Sequence, residues 1–309
     1  MVMFNHKHLV SIKQLSVEDI YTILDAAESL KEISGRDIKK VPILRGKNVV
    51  LFFNEPSTRT RTSFEIAAKR LSADVVGFST KGSSTTKGET LIDTVRNIQA
   101  MSPDLIVMRH YSSGVPYMLA RKIDIGIINA GDGINEHPTQ ALLDLYTIRE
   151  KKGRIEGLKV VIIGDIEHSR VARSEIYALT KLGAQVTLSG PPTMMPVQAE
   201  SMGVQVMYHP GEAIQGQDVI ILLRIQMERH SKCLFPGLRE YSSFFGMNKE
   251  ILKYIKEGAI IMHPGPVNRG VEASPDVMDG PFSVVLDQVA NGVAVRMALL
   301  CLFMGGNRD

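Results

Sequence analysis

Short apolar runs that alternate with helical stripes constrain the fold of this chain more than any other feature. Residues 47–53 have the β-branched and aromatic bias of a buried strand. Apolar side chains at the three-and-four spacing of a helix follow between residues 64 and 71, and a second strand is predicted over residues 74–78. A strand, a helix and a strand in this order predict a parallel βαβ unit.

The same alternation continues to the C-terminal region. After a long helix predicted over residues 138–152, the pattern restarts with an apolar run at residues 158–165. Further predicted strands cover residues 104–110, 124–130, 184–188, 204–208, 218–224 and 259–263, and a last helix covers residues 287–304. We therefore expect an α/β fold of two doubly wound parallel-sheet domains, joined by long interdomain helices, with the active site in the cleft.

Bulk composition excludes several classes of protein. A length of 309 residues suggests about two domains, and a net charge of +3 is too small to indicate a nucleic-acid surface. The two cysteines, Cys233 and Cys301, lack metal-type spacing, which favours a reducing compartment. The N-terminus lacks the apolar core of a signal peptide, and no apolar run approaches membrane-spanning length. A cytoplasmic protein without nucleic-acid or membrane partners is expected.

The segment that follows the first predicted strand is rich in hydroxyl groups and arginine. Ser57, Thr58 and Thr60 are interspersed with Arg59 and Arg61 at a predicted helix start, with Ser57 as the N-cap. Two arginines there oppose the helix dipole unless an anion compensates them. Free N–H groups, hydroxyl donors and a forked guanidinium suit a phosphate. The alternative interpretation is a solvated basic helix start.

A loop at residues 80–90 consists of small, polar and glycine residues, with Lys81 and Lys87 among them. None of these side chains can fill a core. The composition fits a mobile surface loop as well as a flap that closes over an anionic ligand.

Two later elements also end or begin with polar side chains. Arg109 lies at the end of predicted strand 104–110, where open α/β sheets bind ligands. His137 and Gln140 lie at the N-terminal end of the helix that Pro138 begins. Each could instead have a structural role. Nearby Asp and Glu residues do not recur at metal-ligand spacing, so no metal is expected.

The second half of the chain offers cations instead of a dinucleotide fingerprint. Gly164 is not followed by the further glycines that a nicotinamide cofactor requires. Arg170 at a predicted helix start and Arg224 at a strand end can pair bidentately with carboxylates. The Pro/Gly turn at residues 263–270 exposes backbone carbonyls that can accept hydrogen bonds from an amide NH2 group.

Seven segments along the chain match the motifs of one family in order. They are residues 57–61, 87–90, 108–110 and 137–140, the loop at Arg170, and residues 224–226 and 263–266. Together they resemble the aspartate carbamoyltransferase catalytic chains, of the aspartate/ornithine carbamoyltransferase superfamily, over essentially the whole sequence. The first motif marks carbamoyltransferases in general, whereas His-Pro-Thr-Gln and the late Arg-x-Gln point to aspartate.

Two details refine the resemblance. Ornithine enzymes typically carry a cysteine in the His-Pro-x-Gln and His-x-Leu-Pro segments, and neither cysteine of this chain lies there. The chain departs from the best-known members at residues 264–269, which read Pro-Gly-Pro-Val-Asn-Arg where those members carry Pro-Leu-Pro-Arg. The backbone role of Gly265 and Pro266 is expected to survive, but the side chain that supports this turn is left open.

The resemblance implies transfer of the carbamoyl group of carbamoyl phosphate to the α-amine of L-aspartate, in pyrimidine biosynthesis. It implies a carbamoyl-phosphate-binding domain over residues 1–136, completed by helices 138–152 and 287–304, and an aspartate-binding domain over residues 153–286. It implies neither a cofactor nor a metal.

The resemblance also implies a role for each site residue. The carbamoyl-phosphate-binding residues are Ser57, Thr58, Arg59, Thr60, Arg109, His137, Gln140, Gly265 and Pro266. The aspartate-binding residues are Lys87, Arg170, Arg224 and Gln226. The catalytic residues are Arg59, Thr60, Arg109, His137 and Lys87. Ser83 and Lys87 would reach the site of a neighbouring subunit, which implies a homotrimer with shared active sites.

The residues leave two alternative functions open. One is a carbamoyltransferase for another amine acceptor, and the other is a non-catalytic carbamoyltransferase-like subunit that serves in an assembly. Association with regulatory chains or with dihydroorotase is equally open.

Overall fold

The computed structural model describes residues 4–79, 89–226, 235 and 237–305. The chain divides into two compact units, of which the first comprises Met1–Leu143 with Ala290–Asp309 and the second comprises Asp144–Val289. Most of the predicted flap, including Ser83 and Lys87, lies outside the described residues.

The first unit contains a parallel sheet with the strand order β2-β1-β3-β4. Its strands are β1 (Asn48–Phe53), β2 (Asp74–Ser79), β3 (Leu105–His110) and β4 (Gly126–Asp132). Its helices are α1 (Val17–Lys31), α2 (Thr58–Arg70), α3 (Leu91–Ala100) and α4 (Val115–Ala120). Strands β3 and β4 are buried along their whole length, as continuous apolar runs in parallel sheets require.

The second unit contains a parallel sheet with the order β7-β6-β5-β8-β9. Its strands are β5 (Lys159–Ile163), β6 (Gln185–Ser189), β7 (Gln205–Met207), β8 (Val219–Leu222) and β9 (Ile260–Met262). Its helices are α6 (Arg170–Lys181), α7 (Pro210–Ala213), α8 (Leu238–Phe245) and α9 (Pro275–Met278). Two long helices, α5 (Pro138–Lys152) and α10 (Val285–Met304), have residues in both units.

Serine and threonine residues precede several of the α-helices, and three of them make the side-chain bond that is typical of an N-cap. Ser16, Thr90 and Ser169 each accept a hydrogen bond from a backbone N–H of the helix they precede. Ser57 occupies the N-cap position of α2 with extended backbone angles, but its side chain makes no capping bond. The predicted N-cap position of Ser57 is confirmed, but Ser57 lacks the side-chain bond that these three caps make.

Four short helices have no counterpart in the sequence prediction. Helices α4, α7, α8 and α9 have 6, 4, 8 and 4 residues, too few for a helical repeat to stand out from the sequence. Helix α10 begins at Val285, two residues before its predicted start.

Helix α10 corrects one expectation about membranes. By length and composition it could span a bilayer, with a mean hydropathy of 1.5, although the sequence was expected to contain no such run. Most of it is buried in the protein, and it carries the buried polar residues Gln288, Asn291 and Arg296. Buried polar side chains need protein partners, so we interpret α10 as a core helix.

Candidate active site

The strand order of each sheet reverses at one point, and predicted site residues lie at both points. In the first unit the order reverses between β1 and β3, and in the second between β5 and β8. Open parallel sheets bind ligands beyond the carboxyl ends of their strands at such a reversal. Each unit therefore offers a favourable place for a ligand.

In the first unit, the phosphate-type segment and Arg109 leave neighbouring strands at the same edge. Phe53 at the end of β1 is paired with Arg109 on β3. Thr60 is buried, whereas Thr58 and Arg59 are exposed. The first turn of α2 contains no acidic residue, so the positive end of its dipole can favour an anion.

The two arginines of this segment have different surroundings. A Cβ atom added at Gly77 would lie 2.4 Å from Nη2 of Arg61, so this guanidinium packs directly against the backbone of β2. Glycine at position 77 leaves the room that this contact requires. Arg61 therefore supports the sheet, and Arg59 stays the candidate for ligand binding.

The Arg109 side chain is held between a carboxylate and a backbone carbonyl. Its Nη2 donates to Oε1 of Glu55 at 2.7 Å, and its Nη1 donates to the carbonyl of Ala130 at 3.1 Å. The N–H of Asn54 donates to the Arg109 carbonyl at 2.9 Å. Charge-assisted bonds of this kind orient the guanidinium beside the start of α2.

The neighbouring His110 contributes no charge to this edge at neutral pH. Burial lowers the pKa of its imidazole. Its Nδ1 accepts the N–H of Ser112 at 2.9 Å. A neutral ring at this position leaves Arg109 as the cation at the end of β3.

The segment that precedes His137 is fixed by a buried carboxylate that the sequence did not reveal. Glu136 accepts the Ser11 hydroxyl at 2.5 Å and the Ile12 N–H at 2.9 Å. The N–H of Glu136 donates to Oδ1 of Asp132 at 3.2 Å. These bonds tie the N-terminal segment and the end of β4 to the residue before His137.

His137 and Gln140 are both buried at the start of α5. The N–H of Gln140 donates to the His137 carbonyl at 2.9 Å. The Thr139 hydroxyl lies 3.4 Å from Nδ1 of His137. Both groups of this pair can donate or accept a hydrogen bond, and the contact fixes the position of the His137 ring at the start of α5.

In the second unit, Gly164 allows the ends of β5 and β8 to approach closely. An added Cβ at Gly164 would lie 2.9 Å from Cβ of Leu223, and its φ of +136° disfavours other residues. The Leu223 N–H donates to the Ile163 carbonyl at 2.8 Å, directly before Arg224. This glycine therefore serves strand packing, as the rejection of a dinucleotide fingerprint requires.

The turn between β5 and α6 is organised by the buried Asp165. Its Oδ1 accepts the His168 N–H at 3.2 Å and lies 2.8 Å from Nδ1 of the same residue. Ser169 caps α6 by accepting the Ala172 N–H at 3.2 Å. Arg170, the first residue of α6, is buried although it is charged, so this turn fixes the place of a buried cation.

The turn at residues 263–266, hereafter the 263–266 turn, follows β9, which pairs with β8. Gly265 has a φ of +66°, a left-handed conformation that favours glycine. Its N–H donates to Nδ1 of His263 at 2.8 Å. The His263 ring is thus a side chain that supports the turn at the point where the sequence departs from the best-known members.

Sequence reasoning also missed a pair of buried acids, Glu175 and Asp144. Burial raises the pKa of Glu175 on α6, and the nearby carboxyl of Asp144 raises it further. Asp144 on α5 accepts the Gln288 side-chain amide at 2.6 Å. Glu175 is therefore protonated well above the ordinary range of a glutamate.

The structure sorts the predicted residues into two sets. Ser57, Thr58, Arg59, Thr60, Arg109, His137 and Gln140 belong to the first unit, whereas Arg170, Arg224, Gln226, Gly265 and Pro266 belong to the second. Within the described ranges, no group of three or more His, Cys, Asp and Glu side chains is placed to hold a metal ion.

Family comparisons agree with this division. The model of the aspartate/ornithine carbamoyltransferase carbamoyl-P binding domain matches residues 7–150, and that of the Asp/Orn binding domain matches residues 156–303. The chain belongs to the aspartate/ornithine carbamoyltransferase family. The family predicted from the seven motifs is thereby confirmed.

Relatives within the family are similar over nearly the whole chain. The aspartate carbamoyltransferase catalytic subunit of Syntrophotalea carbinolica is 61% identical over 305 residues, which cover 99% of this chain and 97% of that protein. That of Desulfotalea psychrophila is 61% identical over 306 residues, covering 99% and 96%.

Solved structures from both branches of the family share the fold. Ornithine carbamoyltransferase from Pyrococcus furiosus is 33% identical with a TM-score of 0.88, and the match covers 100% of both chains. Aspartate transcarbamoylase from Trypanosoma cruzi, in complex with N-(phosphonacetyl)-L-aspartic acid, is 31% identical with a TM-score of 0.88, over 97% and 96%. The prediction of two parallel-sheet α/β domains is confirmed.

Proposed function

We propose that this chain transfers the carbamoyl group of carbamoyl phosphate to the α-amine of L-aspartate, which gives N-carbamoyl-L-aspartate and phosphate. The observation that carries the proposal is 61% identity over nearly the whole chain to relatives named aspartate carbamoyltransferase catalytic subunits. The reaction is an early, committed step of de novo pyrimidine biosynthesis.

The first unit would bind carbamoyl phosphate. Arg59 and the N–H groups at the start of α2 suit the phosphate, with Ser57, Thr58 and Thr60 as hydroxyl donors. Arg109 reaches the same sheet edge from β3. The buried His137 and Gln140 suit the carbonyl oxygen and the NH2 group of the carbamoyl moiety.

The second unit would bind aspartate. Arg170 and Arg224 flank the reversal point of its sheet, and each guanidinium can pair with one carboxylate of the amino acid. Gln226 lies two residues beyond Arg224 as a further polar contact. Gly265 and Pro266 would present backbone carbonyls to the carbamoyl NH2 group, and Lys87 would bridge both substrates.

The chemistry needs positioning and charge stabilisation because carbamoyl phosphate is already activated. The amine lone pair attacks the carbonyl carbon, a C–N bond forms, and the C–O bond to phosphate breaks. Thr60, Arg109 and His137 stabilise the negative charge that develops on the carbonyl oxygen. The departing phosphate takes the amine proton. Orientation alone can supply about 7–11 kcal/mol.

The assembly we propose is a cytoplasmic homotrimer, in which Ser83 and Lys87 of one chain complete the site of its neighbour. The seven-motif resemblance supports this proposal. Mixing inactive Lys87→Ala chains with inactive Arg59→Ala chains should restore part of the activity. Some sites in the hybrids would then combine an intact Arg59 from one chain with an intact Lys87 from its neighbour. A verified hybrid trimer without activity would contradict shared sites.

Acceptor specificity tests the proposed reaction against its closest alternative. Two arginines in the second unit should favour a dicarboxylate and repel the cationic side chain of ornithine. Carbamoylation rates with aspartate, ornithine and related amines should differ by at least about 10³-fold in favour of aspartate, the discrimination expected when a site's charges are left unpaired. Faster carbamoylation of ornithine would overturn the proposal.

A further inference from the structure

Buried polar side chains surround His263, the first residue of the 263–266 turn. His263 and Glu272 are both 2% exposed, and Gln288 is 3% exposed. The backbone N–H of His263 donates to Oε1 of Gln288 at 2.9 Å. The side chain of His263 folds forward onto the same turn, where Nδ1 accepts the Gly265 N–H.

The hydrogen bond from Gly265 determines which nitrogen of the His263 ring is the acceptor. Nδ1 accepts an N–H at 2.8 Å and so must present its lone pair. In a neutral imidazole the proton then lies on Nε2. We assign this tautomer from the contact.

Glu272 accounts for the other side of the ring. Its Oε1 lies 3.5 Å from Nε2 of His263 and accepts the Asn268 N–H at 2.9 Å. Among the described residues, His263 Nε2 and Glu272 Oε2 are buried without a hydrogen-bond partner. A buried carboxylate beside the Nε2–H favours the ring orientation in which Nδ1 faces Gly265.

Gln288 joins this set to α5. Its side-chain oxygen accepts the His263 N–H, and its amide donates to Oδ1 of Asp144 at 2.6 Å. Because Gln288 is bound at both ends, the start of the turn is fixed on Asp144 of α5 and Gln288 of α10, which both belong to the second unit.

We propose that His263, oriented by Glu272, is a positioning residue that holds the Gly265 amide and so aims the Gly265 and Pro266 carbonyls at the carbamoyl NH2 group. The inference rests on the proposed function, because it assigns a purpose to the turn in carbamoyl-phosphate binding. This role predicts a selective effect on affinity. The turn should strengthen the binding of a ligand that carries an amide NH2 group and should not change the binding of inorganic phosphate.

A matched pair of variants isolates the acceptor atom of the ring. His263→Asn can place its side-chain oxygen near the position of Nδ1 and keep the acceptor for Gly265. His263→Leu has a similar volume but no acceptor. Glu272→Gln keeps an oxygen for the Asn268 N–H and removes the charge. Asp279→Asn, which breaks an exposed pair with Arg269 on the same segment, is the control.

The test measures the affinity of each purified variant by calorimetry, with phosphonoacetamide as a stable analogue of carbamoyl phosphate and inorganic phosphate as the comparison. His263→Leu should lower the affinity for phosphonoacetamide about 10-fold, which corresponds to about 1.4 kcal/mol from the loss of one buried hydrogen bond. Phosphate affinity should change less than about 2-fold, and His263→Asn should bind phosphonoacetamide within about 3-fold of wild type. The KM for carbamoyl phosphate should follow the same order.

Several outcomes would overturn the inference. Unchanged phosphonoacetamide affinity in His263→Leu would show that the turn needs no such support. Equal losses for both ligands would show a general structural role. If His263→Leu does not fold, Glu272→Gln must still lower phosphonoacetamide affinity selectively, and a variant that binds like Asp279→Asn would contradict the proposal. A wild-type chain that binds phosphonoacetamide but forms no carbamoyl-aspartate would contradict the proposed function alone.

Discussion

Two buried glutamates, Glu136 in the first unit and Glu175 in the second, have opposite surroundings. Glu136 receives a hydroxyl and a backbone N–H on its two oxygens, so its negative charge is satisfied by fixed donors. Both oxygens of Glu175 are buried without a hydrogen-bond donor among the described residues. The first arrangement holds a carboxylate in place, whereas the second favours a protonated acid.

The two acids therefore affect stability in different ways. The bonds that Glu136 accepts hold the segment before His137 in place. A buried acid beside Asp144 binds a proton that the unfolded chain would release, so the second unit should lose stability as pH rises. The contrast between these two acids and the division of the substrates between the units both have measurable consequences.

Arginine variants from the two units should give different kinetic patterns. Arg109→Ala removes a donor to the developing oxyanion and should lower kcat about 10²–10³-fold. Arg224→Ala removes a carboxylate partner and should raise the KM for aspartate about 10²-fold, at roughly 1.5–3 kcal/mol for a charged hydrogen bond. Initial rates with each substrate varied in turn separate the two effects.

Arg269→Ala is the control for these variants, because Arg269 is an exposed arginine of the second unit that pairs with Asp279. It should change neither constant by more than about 2-fold, since exposed ion pairs contribute little. The division of substrates would be wrong if Arg224→Ala weakened carbamoyl phosphate as much as aspartate.

The arginines also show what the sequence can predict. Arg109, His137 and Arg170 were recognised because each lies at a strand end or a helix start, positions that hydrophobic periodicity locates. The contacts behind them were not recognised. Ser11 and Glu136 are 125 positions apart, and no local pattern relates them. His263 and Glu272 share a turn, but only the folded backbone shows that the ring faces both Gly265 and the carboxylate.

Glu175→Gln should stabilise the chain increasingly as pH rises. Glu175 has a raised pKa when folded and about 4.3 when unfolded, so the folded state binds the extra proton between these values and wild-type stability falls through this window. The variant avoids this loss. Its advantage should grow by about 1.4 kcal/mol per pH unit above about pH 4.3, until Glu175 ionises in the folded state.

Thermal unfolding midpoints of both proteins from pH 4 to pH 8 measure this effect. The conservative Glu28→Gln change, at an exposed position on α1, is the control for the loss of one carboxyl group. Midpoints of wild type and Glu175→Gln that stay parallel across the range would show that Glu175 is ionised in the folded protein.

Ser11→Ala should have the smallest effect. The variant loses the hydroxyl bond to Glu136 but keeps the bond from the Ile12 N–H, so the carboxylate retains a donor. We expect a loss of about 1–2 kcal/mol in stability, measured by denaturant unfolding, and a KM for carbamoyl phosphate raised less than about 5-fold. Unchanged stability in Ser11→Ala would show that the hydroxyl bond does not help to hold Glu136 in place.

Detection of the C–N bond that forms in the reaction tests the proposed carbamoyl transfer most directly. The purified chain is incubated with ¹³C-labelled carbamoyl phosphate and ¹⁵N-labelled L-aspartate, and the products are followed by NMR spectroscopy. We predict a ¹³C signal split by one directly bonded ¹⁵N, which appears at the rate of phosphate release. Phosphate release without this coupling, or no reaction by the folded chain, would contradict a carbamoyltransferase that acts on aspartate.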